Sequence, residues 1–175
     1  MREYGQVQCA FWHSDDASSW SDQAKLMALY LKTGPHSNGI GAYALPEGYV
    51  MADLGWDVDT VRERFAELHA KQYAYRFGTV VFLPTYLRWN AFANWQVATA
   101  RFREWQALPK GDGKAHAARA MLTFSLHLKD EQRAELETVS HTVSEPSAYR
   151  SLPNPSQAFK STTAGEDSST SKGAK

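Results

Sequence analysis

Apolar residues recur at helical spacing early in the chain. Ala24, Met27, Ala28 and Leu31 form an i, i+3, i+4, i+7 stripe. The pattern predicts a helix from Ser21 to Lys32, with Ser21 as N-cap and Asp22 at the positive helix end. Leu26, Leu29 and Tyr30 cover much of the other side, so burial on two faces is expected. Gly34-Pro35 stops the helix. The period then drops to two. In Gly39 to Leu45, Ile40, Ala42 and Ala44 share one face of a short strand, and Tyr43 and Leu45 share the other. Pro46 suits the first position of a second helix reaching Leu54, with Tyr49, Val50 and Leu54 turned inward. Gly55-Trp56-Asp57 makes a tight turn. Asp57 caps a third helix to about Lys71, with Val58, Val61, Phe65 and Leu68 as its buried stripe. Two β-rich runs, Tyr73 to Phe77 and Val80 to Leu83, flank Gly78-Thr79 as in a hairpin.

Helix, strand, helix, turn, helix, hairpin is the order of a winged helix-turn-helix, an α+β fold of three helices plus a β-hairpin wing. The expected organisation is a winged-helix domain over residues 1–90, its folded part starting near residue 5. One or two helices follow over 91–140, then a Ser/Thr/Pro-rich tail over 141–175. The tail cannot bury enough apolar surface to offset its ordering entropy and is expected to be disordered.

Composition narrows the function. Hydrophobic residues make up 43% and charged residues 22%, an ordinary globular balance. Net charge is zero, so any polyanion site must be a local patch. No stretch approaches the roughly 18 apolar residues of a membrane span. The N-terminus lacks an apolar signal region, and Cys9, the only cysteine, can form no internal disulfide. These features predict a cytoplasmic protein. Cys9 itself is expected in a strand, as a small buried hydrophobe.

Charge is unevenly placed. Residues 1–90 hold eight Lys or Arg against ten Asp or Glu, a net of −2. Residues 62–119 hold ten against four, a net of +6. In the third helix, phase sets Asp59, Glu63, Ala66 and Ala70 opposite the buried stripe, with Arg62 and His69 on one flank and Thr60, Arg64 and Lys71 on the other. Two readings stay open: a helix that reads base edges in the major groove, or a structural helix with a solvated, ion-paired face. On the first, the expected DNA contacts are Thr60, Arg62, Arg64 and Lys71, then Arg76 in the hairpin, and Arg88, Arg101 and Arg103 beyond it. The aromatics Trp89, Phe92, Trp95, Phe102 and Trp105 either dock the following helix on the core, the favoured reading, or stack single-stranded bases. Catalytic motifs are lacking. Gly111-Asp112-Gly113-Lys114-Ala115 has no upstream glycine spacing and no Ser/Thr of a phosphate-binding loop, and the six His are scattered. No enzyme activity, cofactor or metal is expected.

Several short segments in order resemble a known family. They are Phe11-Trp12, Ser21 to Leu26, Gly41 to Pro46, Phe65 to Leu68, and Tyr86-Leu87-Arg88-Trp89-Asn90. Their order and spacing are similar to the phage and prophage helix-turn-helix replication proteins, the replisome-organiser-like and DnaD-like N-terminal domains. Trp20 and Phe65 stand where that pattern has Leu. The resemblance spans about residues 4–110. It implies binding of origin DNA or recruitment of a replicative helicase loader, and so a role in replication initiation with double-stranded DNA as partner; single-stranded DNA, from the aromatic run, and a replication or host protein are further candidates. The alternatives are a protein-binding winged helix acting on a replication or regulatory complex, or a transcription regulator.

Overall fold

Ser21 opens the first long helix as its sequence predicts: the hydroxyl accepts from the Ala24 N–H at 3.1 Å. In the computed structural model, which describes residues 5–13 and 15–142, a 3₁₀ turn (Cys9–His13) and a short helix α1 (Asp15–Ser18) precede it. Then come α2 (Asp22–Thr33), β1 (Ala42–Ala44), α3 (Glu47–Leu54), α4 (Val58–Ala70), β2 (Tyr75–Phe77) and β3 (Val80–Phe82). They are followed by α5 (Tyr86–Trp89), α6 (Trp95–Gln106), α7 (Asp112–Phe124) and α8 (Asp130–Ser140). The expected tail lies, from residue 143 onward, outside the described residues.

Two signals join α3 to α4. Gly55 ends α3 in the left-handed region, at φ +68°, and its N–H donates to the Met51 carbonyl. Asp57 caps α4 by accepting from the Thr60 N–H at 2.7 Å. Val61, Phe65 and Leu68 are buried and meet Leu31 and Val81 in one core.

The strands form an antiparallel sheet in the order β1-β3-β2, with Tyr43 opposite Val81 and Val81 opposite Arg76. That row faces α2 and α4. The Tyr43 hydroxyl donates to the Leu31 carbonyl, and the Arg76 guanidinium lies 5.3 Å from the Phe65 ring centre. The opposite face carries Phe77, Val80 and Phe82, and α7 covers it. The His116 ring stacks on Phe77 at 4.8 Å and on Phe82 at 5.7 Å. Burial pushes the His116 pKa down. Gly113 permits this approach, because a Cβ there would stand 2.8 Å from Val80 Cγ1. The Gly-Lys segment that lacks phosphate-loop spacing is thus the close-packed start of α7.

The helical stretch after residue 90 is the second layer of the fold. Gly113, Ala115, Ala117, Ala118, Ala120, Met121 and Phe124 are buried along α7, and Leu136 of α8 is fully buried. Trp105 of α6 is 1% exposed, and its Nε1–H donates to the Lys114 carbonyl at 2.9 Å. One buried cluster extends from Ala17 to Leu136, through both layers.

Some expectations are corrected. Tyr49 is 51% exposed and stacks on His36 instead of facing inward, because on so short a helix the core takes Val50 and only part of Leu54. Leu26 is 47% exposed, so α2 is not buried on two full faces. Cys9 lies exposed in the 3₁₀ turn rather than buried in a strand. The first strand shrinks to Ala42–Ala44 because Gly41 sits at φ +67°, which an extended chain cannot continue through.

Gly41 supplies a stability test. A Cβ there would lie 2.4 Å from Tyr86 Cβ, in a backbone conformation that already disfavours side chains. Gly41→Ala is expected to cost about 2–4 kcal/mol. Gly55→Ala has the same kind of φ but open space around it and should cost about 1–2 kcal/mol. Urea denaturation of the two variants makes the comparison. Equal losses would show that Tyr86 yields to the new methyl group.

Candidate nucleic-acid interface

The outer pole of α4 is as helical phase predicts: Asp59, Glu63, Ala66 and Ala70 are exposed. Its basic neighbours are engaged by carboxylates. Glu47, in the first turn of α3, receives Nε and Nη2 of Arg62 on its two oxygens, both at 3.2 Å. It also receives Nη1 of Arg76 from the hairpin. These hydrogen bonds, from Arg62 first and Arg76 second, hold the Glu47 carboxyl below the usual carboxylate range. One acid therefore ties α3, α4 and β2 together.

A second carboxylate does the same at the other flank. Glu67 accepts from the Ser21 N–H and the Ser21 hydroxyl, each at 2.8 Å, and pairs with Arg64 at 3.0 Å. Burial works against ionisation of Glu67, but the Ser21 bonds and the Arg64 charge prevail and lower its pKa. Arg64 also reaches Glu63 at 3.0 Å, and its side chain is only 19% exposed.

The sequence-assigned contacts thus differ in availability. Arg62 stays open, with 63% of its side chain exposed despite its pair. Arg64 and Arg76 are partly buried and serve the α2–α4 and α3–β2 junctions. Thr60 lies in the first turn of α4, where its N–H is committed to Asp57. Lys71 donates to the Ser19 hydroxyl at 3.0 Å. The hairpin turn, Gly78-Thr79, carries no cation and faces Pro109–Gly113 across an open cleft of ≈ 450 Å³ that includes Lys110.

The other three belong to α5 and α6. Arg101 pairs with Glu104, which also accepts from the Gly39 N–H at 2.9 Å, so both brace the loop before β1. Arg88 lies over the Trp89 ring at 5.0 Å, and Arg103 is exposed. The aromatic run splits. Phe92, Phe102 and Trp105 are buried, as docking on the core predicts, whereas Trp89 and Trp95 are each 55% exposed. Lys129, from the N-cap of α8, lies 5.4 Å from the Trp95 ring centre.

Sequence reasoning missed Glu47 and Lys129. Their partners lie 15 residues or more away, and no local spacing marks either. No protein-family model, curated protein or solved structure matches the chain.

Proposed function

We propose that residues 5–90 are a winged helix-turn-helix module that binds double-stranded DNA, with α4 as the helix presented to the major groove and β2–β3 as a short wing. The observation that carries this reading is topological. The α3–turn–α4 unit runs directly into a hairpin, the sheet order is β1-β3-β2, and the outer pole of α4 is left exposed. Arg62 is the natural first phosphate contact. Arg62 keeps most of its side chain in solvent and Glu47 has Arg76 as a second partner, so a phosphate can take the place of Glu47 at Arg62. The resemblance of the ordered sequence segments to phage replication proteins supplies the context of replication initiation, and favours it over transcriptional regulation.

A second reading has its own observation. With Arg64 and Arg76 held in internal pairs, the exposed pole of α4 presents Asp59 and Glu63. That face suits a basic patch on a partner protein.

One double variant decides between them. If α4 approaches DNA, Asp59→Asn with Glu63→Gln removes two like charges near the phosphates and tightens non-specific duplex binding, most at low salt. Arg62→Ala should weaken it and reduce the salt slope by about one. Titration of labelled duplex at two salt concentrations reads both. Flat DNA binding in the double variant, with weaker retention of a protein partner, selects the second reading.

A further inference from the structure

We infer that the surface of α5, α6 and the start of α8 that carries Trp89 and Trp95 is a stacking site for single-stranded DNA. It is built from other elements than α4 and stands whether or not α4 contacts duplex.

The case begins with an allocation of aromatic residues. Between residues 89 and 105 the fold places Phe92, Phe102 and Trp105 in the core, yet leaves two indoles more than half exposed. Large apolar rings left in water gain when another flat surface covers them. A cation attends each of the two. Arg88 lies over Trp89 and Lys129 over Trp95. A ligand with a flat π face and a negative charge can stack on the ring face that the cation does not cover and pair with the cation itself, which describes a nucleotide in an unpaired strand. Trp95 and Arg103 are eight positions apart on α6, about 12 Å along the axis and roughly 80° around it. Trp95 follows Trp89 by six positions, a span of at most about 22 Å, within reach of a few nucleotides.

Charge favours this occupant over others. Arg88 and Lys129 attend the tryptophans and Arg103 lies exposed on α6, three cations on these elements against the Asp130 and Glu131 carboxylates, whereas Arg101 is taken up by Glu104. A second copy of the chain would bring the same cations against themselves across a two-fold axis. Duplex DNA keeps its bases stacked on one another and offers the indoles no free face. Asp130 and Glu131, in the first turn of α8 next to Lys129, are the opposing charges of this surface. Their neutralisation is expected to tighten binding.

The test is fluorescence anisotropy of a labelled oligothymidine of about 20 nucleotides, longer than the roughly 4–16 that such sites cover. The full chain should bind it at low salt. Trp89→Ala and Trp95→Ala should each weaken binding about fivefold or more, and the double variant about 25-fold or more. Trp→Phe at either position should retain most of the affinity, because a π face remains. Duplex binding should change little in all of them. Both side chains are exposed, so thermal midpoints should stay near that of the parent chain. Should the double variant fail to fold, the Phe variants and Arg103→Ala, expected to lower the salt slope by about 0.7, still decide. Absence of oligothymidine binding, an unchanged affinity in the double variant, or an equal loss on duplex would overturn the inference. So would loss of a bound protein partner in the tryptophan variants without any oligothymidine binding.

Discussion

Trp105→Ala is expected to destabilise the protein by about 3–5 kcal/mol. The indole is 1% exposed and is the largest of the fully buried side chains among the described residues. Its N–H donates to the Lys114 carbonyl, and the Lys114 ammonium lies 4.7 Å from its ring centre. It also packs against Phe102 at 5.3 Å between ring centres. Removal leaves a cavity between α6 and α7, takes from the Lys114 carbonyl the donor it has besides its helical one, and strips the ring from beneath a partly desolvated lysine. Because α7 also covers the sheet, the loss should spread to the first layer. Urea denaturation followed by circular dichroism should show one cooperative transition moved to lower concentration. A biphasic curve, with only part of the signal affected, would mean that the two layers unfold independently.

Phe65→Ala is expected to cost a similar amount, about 3–5 kcal/mol, by a different route. Phe65 is 7% exposed in the middle of the buried stripe of α4, and the Arg76 guanidinium lies over its ring. The variant opens the junction of α2, α4 and the sheet, and leaves Arg76 held by Glu47 and the Gly78 carbonyl alone. Phe65→Leu keeps most of the volume and should lose far less. Thermal denaturation of the pair checks both statements. Full stability in Phe65→Ala would show that α4 does not dock through this stripe.

Wherever a local signal was strong, the sequence determined the element. Ser21 and Asp57 are side-chain caps that close hydrogen bonds within three residues, and they set the starts of α2 and α4. The Val61, Phe65, Leu68 stripe set which face of α4 is buried, and so which residues form its exposed pole. Gly78-Thr79 set the hairpin turn between β2 and β3. Such features depend on neighbours one to four positions away, which the sequence displays directly.

The rest was decided in three dimensions. A stripe on a helix says that something covers it, but not what. The buried alanines of α7 were visible as helix formers; that this helix sets Gly113 and His116 against Phe77, Val80 and Phe82 was not, because the small residues that permit close approach carry no address. The aromatic run was legible as a group, yet its division into buried Phe92, Phe102 and Trp105 and exposed Trp89 and Trp95 depends on where α7 and α8 lie. Charge behaved in the same way. Counting made residues 62–119 basic, but Glu47, far along the chain, takes up Arg62 and Arg76 at once, and Glu67 takes up Arg64. A Coulomb pair is fixed by distance in space, falling off within a few ångströms in solvent, and sequence separation carries no information about it. The candidate contacts could therefore be named from residue types, but which of them remain open to a ligand is a property of the folded surface alone.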